Sequence, residues 1–143
     1  MKLNTILRYA FVLSAVIPAT CMLFISLLFL SDIISYGAAT VYQGFFYTSI
    51  VFGALGYVGL ILNLIPKFNK SYLTKLIFCL LGSIGFAIFL NLQGDYNTFR
   101  WIIEIQEPQE WIIFIWPNVV TLVLIMFFIY KLTFKNKLQS AIN

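Results

Sequence analysis

Of the 143 residues, 62% are hydrophobic, 18% aromatic and only 10% charged, against about half apolar and about a quarter charged in a soluble domain. A water-soluble chain of this size buries only about two thirds of its surface, so this many Leu, Ile and Phe side chains would leave large apolar patches facing water. The composition excludes a soluble globular domain, and the formal charge of +4 is no nucleic-acid footprint, because the basic residues lie in short clusters flanking apolar runs.

Four apolar runs of about 20 residues, 9–30, 45–65, 74–92 and 111–130, each match a hydrocarbon core of ~30 Å at ~1.5 Å rise per residue. Backbone groups inside lipid must be satisfied within the segment, so each run is predicted to be a helix despite its β-branched residues. The first run follows Lys2 and Arg8, as the apolar core of a signal peptide would, but it exceeds the usual ~7–15 residues. The residues before Cys21 make a poor lipoprotein site, and only the small residues Gly37 to Ala39 offer a place for cleavage. Pro18 in this run and Pro117 in the fourth free a backbone carbonyl and predict static kinks, with a hinge as the alternative.

In the second run Gly53, Gly56 and Gly59 recur every third residue, and Gly82, Ser83, Gly85 and Ala87 bring small side chains to the third. Small residues let helix backbones approach closely in lipid, so these two helices are predicted to pack as a hairpin. A homodimer face or a pore-lining stripe is the other use of such a pattern. Ser14, Thr20, Ser26, Ser49, Asn63, Ser83, Asn91 and Asn118 are expected to make interhelical hydrogen bonds. Lys75 is placed to snorkel to the interface.

The connection 93–110 is the most distinctive segment. It carries Asp95, Glu104, Glu107 and Glu110 against Arg100 alone, and two Trp-Ile-Ile-x-Ile copies, from Trp101 and Trp111, stand ten residues apart with Pro108 between them. The first copy is too short to span and suits a short segment lying in the membrane interface. It reads either as a docking surface, with Trp101 as anchor and Glu104, Glu107 and Glu110 selecting a basic partner, or as a cap over the bundle.

Charge sets orientation. The N-terminal tail, the second connection and the C-terminal tail hold Lys2, Arg8, Lys67, Lys70, Lys75, Lys131, Lys135 and Lys137, eight of the nine basic residues. The other side holds all five acids, so the positive-inside rule predicts both termini in the cytoplasm. Tyr9, Phe45, Phe46, Tyr47, Tyr72, Trp111 and Tyr130 near the run ends suit an aromatic belt.

The expectation is therefore a single all-α integral membrane domain over 1–143, a four-transmembrane-helix bundle in a bacterial inner membrane. There is no histidine, which removes the commonest haem ligand and catalytic base. Cys21 and Cys79 lack metal or redox spacing and are expected to be buried, inert thiols. The membrane-embedded glutamate of small multidrug exporters, the paired cysteines of disulfide-generating four-helix proteins and the histidines of cytochrome b bundles are all missing. No cofactor, metal or catalytic site is expected, and no nucleic acid. The favoured function is non-enzymatic protein–protein interaction in the envelope, as a complex subunit or an immunity or exclusion factor. The partner would be a membrane or periplasmic protein, or a second copy. A small oligomeric transporter or channel is the alternative, and a lipid-acting enzyme using the acids of 93–110 is the third reading.

Overall fold

A computed structural model of the chain describes residues 2–35, 41–93 and 107–140. Their regular structure is helical. It consists of α1 (Lys2–Ser35), α2 (Val41–Leu62), a 3-10 turn at Pro66–Phe68, α3 (Tyr72–Gln93) and α4. The last of these opens with a turn at Pro108–Glu110, passes through a π-helical stretch at Trp111–Ile115 and continues as α-helix over Trp116–Ser140. Within these rods Ile6–Leu28, Gln43–Leu62, Tyr72–Leu92 and Pro108–Phe134 are long and apolar enough to cross a membrane. In its described residues the protein is all-helical, a multi-pass membrane protein built as a four-helix bundle. Several helices outrun the apolar runs, because hydrogen bonding along a helix need not stop at the edge of the hydrocarbon.

The helices pack in a ring: α1 touches α2 and α4, and α3 touches the same two from the opposite corner. Buried positions recur at three- and four-residue spacing. They are Val12, Ala15 and Ala19 in α1; Phe46, Ser49, Gly56, Leu60 and Asn63 along and just beyond α2; Lys75, Cys79 and Gly82 in α3; and Pro117, Thr121, Leu124 and Phe128 in α4. That alternation is the seam of helices packed at a shallow angle. The outward faces are just as apolar, with Ile17, Phe24, Val51, Ile77, Ile84, Leu122 and Met126 exposed. In water such faces would aggregate; in a bilayer they are the solvated surface.

Proline places the helix ends. Ile65, held extended ahead of Pro66 (φ −92°, ψ 115°), closes the path for α2, and Pro66 starts the 3-10 turn. Successive bonds from Asn63 to Leu60, Leu64 to Ile61, Phe68 to Ile65, Asn69 to Pro66 and Ser71 to Phe68 satisfy the backbone through this connection. Glu107 is likewise extended (φ −89°, ψ 123°) before Pro108, which takes the first helical position of α4, where a missing N–H does no harm.

Pro117 is accommodated by widening the helix. Its ring would press on the carbonyl four residues back, and in the π-helical stretch the Trp116 N–H instead reaches the Trp111 carbonyl, five residues back. This stretch is the second Trp-Ile-Ile-x-Ile copy. Pro18 is buried within an unbroken α1.

Several expectations change. Phe46 is buried, and the partly buried Tyr72 packs its ring 6.3 Å from that of Phe128, so both rings turn towards the bundle. Cys79 is buried, but Cys21 is exposed on the outward face of α1. Lys75 does not snorkel: it occupies a seam position and is only 1% exposed. The polar residues divide as well. Trp116 Nε1 donates to Ser14 Oγ (3.0 Å) and Thr20 shares a hydrogen bond with Tyr57 Oη (2.8 Å), both between helices. Like Ser14 and Thr20 themselves, Ser26, Ser49, Asn63, Asn91, Asn118 and Thr121 donate to carbonyls three or four residues back in their own helices, the nearest acceptors in lipid. Ser83 Oγ is buried without a partner.

Candidate functional site

Three features stand out: an acidic end, a glycine seam enclosing a central cavity, and a basic end. At the acidic end, Trp101 and Glu104 lie outside the described residues, as does the interfacial segment predicted there. Glu107 and Glu110 are described. Glu107 is exposed and accepts a hydrogen bond from Gln109 Nε2 (2.8 Å). Glu110 sits half-buried in the first turn of α4, where a carboxylate is favoured by the helix dipole. Trp111 follows, with 43% of its surface exposed, and Ile112 beside it faces outward. Two carboxylates and an indole thus share the start of one helix.

The glycines bring α2 and α3 backbone to backbone. A Cβ added to Gly56 would collide with the backbone of Gly82, and one added to Gly82 with that of Gly56. At Gly59 the added atom would lie 3.0 Å from Phe78 Cβ and 3.1 Å from the Cys79 nitrogen; at Gly85 it would lie 2.7 Å from Phe52 Cβ and 2.9 Å from the Ser49 carbonyl oxygen. Gly53 differs. Nothing stands within 4 Å of its would-be Cβ.

Gly53 opens onto a cavity of about 70 Å³ on the bundle axis, to which all four helices contribute. Ala19, Met22 and Ser26 come from α1, Ser49, Gly53 and Tyr57 from α2, Gly85, Phe86 and Phe89 from α3, and Pro117, Asn118 and Thr121 from α4. The hydroxyl protons of Ser26, Ser49 and Thr121 and one amide proton of Asn118 are committed to their own helices, so the walls offer mainly acceptor oxygens among apolar surface. A second, more apolar hollow lies between α3 and α4, lined by Ser83, Leu90, Ile115 and Leu122 among others. Among the described residues no cluster of three metal-ligating side chains is present.

The basic end was the least anticipated from the sequence. Arg8 Nη2 donates to Asn69 Oδ1 (2.8 Å), tying α1 to the connection between α2 and α3. Its Nε is buried without a partner. The Lys75 ammonium lies 6.0 Å from the centre of the Phe128 ring, and Lys131 faces the Phe127 ring at 5.6 Å. The register held the signal: Lys75 is four residues before Cys79 and seven before Gly82, which puts it on the seam face. Comparison adds no relative to this description, since no family model, no curated protein and no solved structure matches the chain.

Proposed function

We propose that the protein works without enzymatic chemistry, as a docking protein of a bacterial inner membrane whose acidic end faces outward and binds a basic membrane or periplasmic partner. The observation that carries this reading is the separation of charge along the bundle. In the sequence all five acids fall on one side of the four spans and eight of nine basic residues on the other, which under the positive-inside rule favours cytoplasmic termini. Glu107 and Glu110 form no ion pair with any described residue, and an exposed and a half-buried carboxylate beside an exposed Trp suit an interface that pairs an aromatic anchor with charge selection. A role as complex subunit or as immunity or exclusion factor fits this arrangement, with Trp101 and Glu104 as the remaining contacts.

The test is copurification after extraction in a mild detergent. Wild-type protein is expected to retain a stoichiometric partner that the Glu107→Lys, Glu110→Lys double variant loses while still inserting and accumulating normally. Recovery of the same partner with the double variant, or of the wild type alone, would overturn the docking reading. The central cavity favours a second reading, a transporter or channel subunit whose path is completed by oligomerisation. Solute flux through purified protein in liposomes distinguishes the two.

A further inference from the structure

The seam is apolar or small along most of its length, and at the basic end it finishes in a cation. Lys75 is 1% exposed, and no acceptor among the described residues serves its ammonium; its contact is the Phe128 ring. Arg8, one helical turn beyond the buried Val12, lies close enough to repel it. Arg8 directs one guanidinium nitrogen to Asn69 and leaves its buried Nε–H unmet. The nearby Asn63 amide donates back to the Gly59 carbonyl.

Among the described residues no acid stands beside this pair. Asp32 lies about 36 Å further along α1 by helix rise, and Glu107 and Glu110 stand at the opposite end of α4. Asp95 and Glu104 belong to the connection between α3 and α4 outside the described residues. Two like charges, one of them removed from solvent, are costly unless a counter-charge and acceptors meet them. Lys75 brings three N–H donors and Arg8 the unmet Nε–H, and a tetrahedral oxyanion carries several acceptor oxygens to match such donors.

We propose that Arg8 and Lys75 form a binding site for a phosphate group, supplied by an anionic phospholipid headgroup or by free phosphate. Position favours the lipid source. Arg8 is only half-buried and lies two residues inside the end of the membrane-crossing stretch Ile6–Leu28, the part of a span that adjoins the headgroup region. Basic pockets between membrane helices are suited to such groups. The site is independent of the docking reading, because it uses the opposite end of the bundle and none of its residues.

The test measures thermal unfolding of the detergent-purified protein with added phosphatidylglycerol, phosphatidylcholine or inorganic phosphate, with native mass spectrometry counting retained lipid. The wild type is expected to be stabilised by phosphatidylglycerol well beyond phosphatidylcholine and to retain about one anionic lipid, at least tenfold more than the variants Arg8→Gln and Lys75→Met. Stabilisation by inorganic phosphate alone, lost in both variants, would support the site with a soluble source. Lys75→Met removes a buried charge and is expected to fold at least as stably as wild type in neutral detergent, which separates loss of the site from loss of the fold. Equal responses to the two lipids without a phosphate effect, or variants that respond as wild type does, would overturn the proposal.

Discussion

The α2–α3 pair meets backbone to backbone, whereas α1 and α4 meet through side chains. Between α2 and α3 the Gly56 and Gly82 Cα atoms leave no room for even a methyl group. Between α1 and α4 the Phe11 and Trp116 rings meet edge-on at 6.2 Å, Trp116 donates to Ser14, and Val12 and Ala15 share a buried cluster with Val120 and Leu124. In lipid no hydrophobic force draws helices together, so close van der Waals approach does most of that work. One half of the bundle is therefore held by shape that cannot yield, and the other by contacts that can repack.

The severest way to break this contrast is Gly56→Leu. A branched side chain directed at the Gly82 backbone has nowhere to go, and overpacking without relief is expected to destabilise by more than about 3 kcal/mol. The variant should fail to accumulate, or unfold at a far lower temperature in detergent. Wild-type behaviour would mean that the two helices separate freely. On the side-chain half, Trp116→Phe keeps an aromatic edge against Phe11 and loses the bond to Ser14, an expected cost of about 1 kcal/mol. A thermal melt should show a small decrease, removed when Ser14→Ala is already present. Gly53→Ala should do least. Its new methyl enters the cavity unopposed, and alanine favours the helix by up to ~1 kcal/mol over glycine. The melting temperature should hold or rise, and a marked fall would show that the cavity is not open at Gly53.

The helices were legible because lipid imposes a strong rule: length and apolarity decide, and charge marks the ends. Proximity of particular groups was not. The glycine spacing pointed to α2 and α3 as close neighbours but did not separate Gly56, locked against Gly82, from Gly53 three residues earlier, which faces a void; that depends on which way each helix is turned. Lys75 resembled a snorkelling lysine because its position near a run end permits that, and only its seam register betrayed the inward direction. Serines and asparagines gave no clue whether they would cross to a neighbour or fold back, since the choice turns on a few ångströms of helix separation. Of the acidic end, Glu107 and Glu110 are placed, while Trp101 and Glu104 stay as read from the sequence.

The π-helical stretch at Trp111–Ile115 has a rotational effect. A π turn holds one residue more than the α turn it replaces, so it rotates everything before it by about 100° around the helix axis. Glu107 and Glu110 come before it. The compass bearing of the carboxylates is thus dialled by how the helix makes room for Pro117, and the proline serves as an indexing pin for the far end of its own helix.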